Sequence, residues 1–67
     1  MLKGVVRWFN DLKGYGFIAS NELPENIYVR FPDIQTSGYR TLKKGDLVFF
    51  ELEKSPSGVK ATHVTKV

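Results

Sequence analysis

Cysteine is absent from these 67 residues, which rules out disulfides and thiolate metal sites and makes a reducing compartment the natural home. Histidine is nearly absent. His63 stands alone, so no second imidazole exists for paired acid–base chemistry. Long apolar runs are missing as well: no stretch approaches the ~20 residues of a membrane span. The opening segment, MLKGVVRWFN, holds no apolar run long enough for a signal peptide. The expectation is a soluble, cytoplasmic protein with no membrane association. Helical periodicity is also lacking, because the longer stretches are broken by Gly, Pro or alternation. There is no internal repeat, low-complexity tract or linker, so residues 1–67 read as a single domain.

Aromatic residues and positive charge are what the chain does have. Ten Lys and Arg oppose seven Asp and Glu, for a net +3 and a pI near 9.4. This mild basic excess favours an anionic partner without naming one. One Trp, three Tyr and five Phe are more informative. A chain this short buries only ~60% of the surface its unfolded form exposes, so some rings are expected outside.

The chain divides into short β-rich runs separated by turn residues. KGVVRWFN (3–10), YGFIAS (15–20), IYVRF (27–31), LVFFELEK (47–54) and VKATHVTKV (59–67) are the runs. NDLKG and SPSG read as turns, and NELPEN as a loop whose Pro24 cannot donate to a ladder. PDIQTSGYRTLKKGD (32–46) is a long connection with a short helical turn near Pro32–Ile34. Such a set of strands in so small an all-β domain suggests closure into a barrel, which removes vulnerable sheet edges. A three-stranded meander followed by a hairpin is the order of a five-stranded antiparallel OB-type barrel. An SH3-like barrel is the alternative.

Alternation assigns the faces. In KGYGFI, Tyr15 and Phe17 point one way, Gly16 and Ile18 the other. In IYVRF, Ile27, Val29 and Phe31 oppose Tyr28 and Arg30. Ile18, Ile27 and Val29 are purely apolar and claim the barrel interior. Arg30 would need a buried partner there, so its face is the outer one and Tyr28 goes with it. Tyr15, Phe17 and Tyr28 are therefore expected on one exterior sheet face. In the first run neither alternating set is cleanly apolar, which predicts a bulge or strong coiling and leaves Trp8 open between core and surface.

Exposed rings interleaved with Lys3, Arg7, Lys13, Arg30 and Lys60 have two complementary capabilities. Rings stack on bases, at ~1–3 kcal/mol per base. Cations neutralise phosphates, which gives affinity that falls with salt. Bases inside a duplex cannot stack on a side chain, so single strands are the target. A peptide-binding module of SH3 type would want acidic residues beside its aromatic groove to meet basic ligands, whereas the neighbours here are Arg7, Lys13 and Arg30. An enzyme is not expected. The carboxylates are scattered, metal-ligand clusters and phosphate-loop spacing are absent, and no helix follows GYG to make it a dinucleotide fingerprint. Gly14 and Gly16 instead permit tight turning and close ring packing. No cofactor is expected.

KGVVRWFN followed by KGYGFI and IYVRF resembles the bacterial cold-shock protein family with its two ribonucleoprotein-type motifs, and GYRTLKKGDLVFFELE and ATHVTKV look like the family's later strands. The resemblance implies an OB-type barrel that binds single-stranded DNA and RNA, with a pyrimidine preference, and acts as an RNA chaperone and in gene regulation. Matched motif by motif, the implied platform is Arg7, Trp8, Phe9, Asn10, Lys13, Tyr15, Phe17, Tyr28, Arg30, Phe31 and Tyr39. Phe9, Phe31 and Tyr39 enter chiefly through the resemblance.

There are departures from the family pattern. Arg30 stands where the family usually has histidine, which makes binding less dependent on pH and more on salt. Tyr15, Tyr28 and Tyr39 stand where Phe is common. The SNELPEN loop is about one residue longer than in compact members, and Asn26 replaces a frequent acidic residue. PSGVKA departs from the placement of a proline and nearby basic residue that some members offer the ligand. Many relatives are acidic, so a chain at net +3 should gain non-specific electrostatic binding. A monomer is expected, with a strand-exchanged dimer through the 32–46 connection as the other arrangement.

Overall fold

The computed structural model describes residues 1–35 and 41–67. Its strands are β1 (Leu2–Asn10), β2 (Tyr15–Ala19), β3 (Ile27–Arg30), β4 (Leu47–Ser55) and β5 (Gly58–Lys66), with a 3-10 turn over Phe31–Asp33. They close into a barrel in the order β1-β2-β3-β5-β4. β4 returns to pair antiparallel with β1, through Leu2↔Phe50 to Val5↔Leu47. The β1–β2, β2–β3 and β4–β5 ladders are antiparallel too. The closing contact of β3 with β5 is parallel and rests on the pair Tyr28↔Lys60. The meander, the later hairpin and the OB order follow the sequence expectation, and strand ends differ from it by one residue or so.

The interior is the apolar half of each alternating run. Val6, Ile18, Ile27, Val29, Val48, Phe50, Ala61 and Val64 are buried, and no polar side chain is buried with them among the described residues. The long connection adds two core residues that alternation could not assign. Ile34 bridges to Val64, and Leu42 is as deeply buried as the strand residues. Burying a side chain of this kind stabilises by ~1.5–3 kcal/mol, so the connection contributes to the barrel as well as spanning it.

Two bulges adjust the alternation. On β1, Val6 faces Ile18 while Trp8 faces Phe17. Arg7 is therefore the extra residue. The slip shifts the phase of the strand: Gly4 and Val6 point inward before it, and Trp8 joins the outward set after it. On β5, Glu51 faces Thr62 while Phe49 faces Thr65, so His63 and Val64 together oppose Phe50. His63 carries a positive φ of 51°, the left-handed conformation that opens this kind of bulge. The result turns the imidazole outward and leaves Val64 in the core.

Candidate nucleic-acid interface

Cross-strand register brings the rings together. Trp8 faces Phe17 and Phe17 faces Tyr28, while Tyr15 faces Arg30. All lie on the side of the sheet away from the core. The centroid distances are 6.2 Å for Trp8–Phe17 and 5.4 Å for Trp8–Tyr15. Tyr15–Tyr28 is 5.7 Å and Phe17–Tyr28 is 5.9 Å. Trp8 is 43% exposed, which resolves its placement to the surface. Tyr15, Phe17 and Tyr28 are half-buried because they cover one another while keeping one side to solvent.

The glycines of KGYGFI explain how two layers of rings fit on so thin a sheet. Gly16 lies under β1 at the bulge: a Cβ there would run into the Trp8 carbonyl oxygen and come within 2.7 Å of the Phe9 Cα. Gly14, with φ 75°, lies under the Phe31 ring, which a Cβ would strike. Phe9 and Phe31 meet edge to face at 5.7 Å and pack against the core. Phe31 therefore faces inward, as alternation has it, at the point where β3 gives way to the 3-10 turn. Both of these rings are half-buried, so they support the barrel as well as flanking the exposed set.

The turn between β1 and β2 is tied down on three sides. The Asn10 side-chain oxygen accepts from the Lys13 backbone N–H at 2.9 Å, and the Asn10 carbonyl accepts from Gly14 N–H at 2.7 Å. Phe31 N–H donates to the Gly14 carbonyl at 3.0 Å, and the Thr41 hydroxyl donates to the Asp11 carboxylate. Asn10 is thus a shaper of the turn. Leu12 at its tip is 98% exposed.

Arg7, Lys13 and Arg30 are exposed; Arg30 is paired with Tyr15, Arg7 directly precedes Trp8, and Lys13 lies two residues ahead of Tyr15. Among the described residues, ion pairs with carboxylates are made by Lys60 and Lys66, His63 contacts Glu51, and none of Arg7, Lys13 and Arg30 meets a carboxylate. Their charge is therefore available to a ligand. Lys3 does not belong to the cluster: it faces Phe49 on the β1–β4 ladder. Lys60 adjoins Tyr28 but is held by Glu53 at 3.5 Å and Asp33 at 3.9 Å. Tyr39 lies outside the described residues. Sequence reasoning missed the hydroxyls of Ser55 and Ser57, which share a groove with Tyr28 and Arg30. Only the pairing of β3 with β5 reveals that proximity, and strand spacing carries no signal for it. No group of three or more metal-ligating side chains occurs among the described residues, and no helix among them is long and apolar enough to cross a membrane.

A closed five-strand barrel with an exposed ring cluster and unpaired cations defines a class of small β-barrel nucleic-acid binders. The profile of the 'Cold-shock' DNA-binding domain family matches residues 2–67, and the chain belongs to that family, which generally binds nucleic acid. It is 43% identical over 67 residues to the "Major cold shock protein" of Micrococcus luteus, covering 100% of both chains. It is also 43% identical over 67 residues to the "Cold shock-like protein CspD" of Escherichia coli, covering 100% of this chain and 90% of the relative. Among solved structures it is similar to drosophila Unr CSD456, with a TM-score of 0.83 and 18% identity. That match covers 98% of this chain and 26% of the other, and at this identity it speaks for the fold alone.

Proposed function

We propose that this protein binds unpaired RNA and DNA by stacking bases on the outer face of the β1–β2–β3 sheet, and that it acts as an RNA chaperone in the cytoplasm. The observation that carries the reading is the contiguity of Trp8, Tyr15, Phe17 and Tyr28 beside cations without carboxylate partners. Exposed aromatic area on this scale is unfavourable in water unless a ligand covers it. Flat apolar rings bordered by positive charge match the two chemistries of a single strand, base faces and phosphates. Roughly six or seven nucleotides would occupy the surface, within the range of an OB fold. Arg7, Lys13 and Arg30 meet the phosphates, and Phe9, Asn10, Phe31 and Tyr39 complete the platform. Because stacking reads a π-face and not a hydrogen-bonding edge, sequence preference is modest and leans to pyrimidines. Holding bases unstacked removes them from hairpins, so RNA is remodelled without a cofactor or turnover.

Trp8 lies within the platform, so its indole emission is the test. Oligothymidine and oligouridine are expected to quench it, with affinity falling as salt rises, while a duplex of equal length does not. Emission indifferent to every single strand overturns the proposal, and a response to a proline-rich peptide would favour the SH3-type reading.

A further inference from the structure

Beyond Tyr28 the outer surface changes character. A groove of about 360 Å³ is lined by Tyr28, Arg30, Glu53, Ser55, Ser57 and Lys60 among others. It continues the ring face onto the β4–β5 hairpin, because Tyr28 and Lys60 are paired across β3 and β5. Arg30, Lys60 and the Ser57 hydroxyl would suit a phosphate, while the Ser55 hydroxyl donates to the Gly58 carbonyl at 3.1 Å. Yet Lys60 Nζ sits between Glu53, 3.5 Å away, and Asp33, 3.9 Å away. Past Lys60 the surface turns acidic, since Glu51 follows on the same hairpin, opposite Thr62 and with the His63 ring 2.9 Å away.

Resting on the proposed nucleic-acid platform, we infer that Glu53 closes this groove to phosphate and so keeps the bound strand from entering it. With the carboxylate in place, a phosphate must displace Glu53 and Asp33 from Lys60 and then sit beside an uncompensated negative charge. The strand therefore ends at Tyr28 and Arg30. Removing the Glu53 charge leaves Lys60 with the more distant Asp33 alone, and the groove then accepts another phosphate. The cation comes from β5 itself, in a chain whose SPSG turn carries none. A merely structural alternative exists: Glu53 and Lys60 are direct cross-strand partners, and such pairs stabilise hairpins.

The experiment compares the intact protein with Glu53→Gln, Lys60→Gln and the double variant, using tetrathymidine and octathymidine with Trp8 emission as the readout. Backbone amide shifts of Ser57, Gly58 and Lys60 report the groove directly. Glu53→Gln is expected to bind octathymidine about three- to fivefold more tightly, the order of one surface charge pair, and tetrathymidine unchanged. The gain should vanish in the double variant, and the groove amides should shift with the longer probe only. An equal gain for both probes would mean a general change of net charge and overturn the inference. So would a lowered urea midpoint with no length dependence, which is the structural role alone. If neither probe quenches the unsubstituted protein, the platform itself fails and the inference falls with it. Asp33→Asn, acting on the same lysine from another element, should give a smaller gain in the same direction, and guards against a misfolded Glu53 variant.

Discussion

Phe17 occupies the centre of the exposed rings, paired with Trp8 on one side and Tyr28 on the other. Its ring faces away from the core, so truncation removes a stacking surface and leaves the barrel intact. Phe17→Ala is expected to weaken oligothymidine binding by ~1–3 kcal/mol and to lower unfolding free energy far less; Tyr28→Ala should behave alike. Titration beside a urea melt separates the two effects, and unfolding of either variant would show that the rings hold the fold. Gly16 gives the opposite pattern. An added Cβ meets the Trp8 carbonyl and the Phe9 Cα, which are backbone and cannot swing aside. Gly16→Ala should destabilise by about 3 kcal/mol or more, visible as a large drop in the denaturation midpoint.

At the scale of elements, the β1–β2 turn and the β5 bulge do different work. The turn carries Lys13 on a backbone fixed by Asn10, Gly14 and Phe31, two residues ahead of Tyr15. Lys13→Gln should reduce the slope of log affinity against log salt by about 1 and leave thermal stability unchanged. An unchanged slope would place Lys13 outside the phosphate path. The β5 bulge holds His63 at φ 51°, a conformation that costs an L-residue roughly 1–2 kcal/mol. Glycine is free of that strain but loses ~0.5–1 kcal/mol through its greater unfolded-state entropy. The exposed contact of His63 with Glu51 is worth little. His63→Gly should therefore raise stability by about 0.5 kcal/mol, read as a small upward shift in melting temperature. A fall would show that the Glu51 contact outweighs the strain.

For the whole molecule, closure is the governing property. Among the described residues each strand has a partner on both sides around the ring β1-β2-β3-β5-β4, with β3 and β5 joined at the single pair Tyr28↔Lys60, so little free edge is left to recruit a second copy. The protein is expected to sediment as a monomer at high micromolar concentration, and a dimer dissociated only by denaturant would instead indicate strand exchange. Closure also unites parts distant in sequence. Leu42 reaches the core, Thr41 ties down the β1–β2 turn, and Lys60 arrives beside Tyr28.

Much of this was legible in the residues. Alternation carries the inside–outside assignment wherever a strand is regular, and Arg30 settled β3 because a cation cannot be buried alone. The mixed faces of KGVVRWFN announced a bulge. They could not say which residue was extra, and Trp8 turned on that choice. Core roles for Ile34 and Leu42 were hidden in an aperiodic connection. The sharing of Lys60 by Asp33 and Glu53 was hidden as well, because it depends on three separate segments.

The sequence by itself determined the number of strands, the apolar interior they contribute, and the outward face of Tyr15, Phe17 and Tyr28, all consequences of a two-residue period acting locally; it left the barrel order between the OB and SH3 types. Only the tertiary structure decided where Trp8 points and which cations stand unpaired beside the rings. Those depend on register and on the parallel β3–β5 closure, which local alternation does not encode.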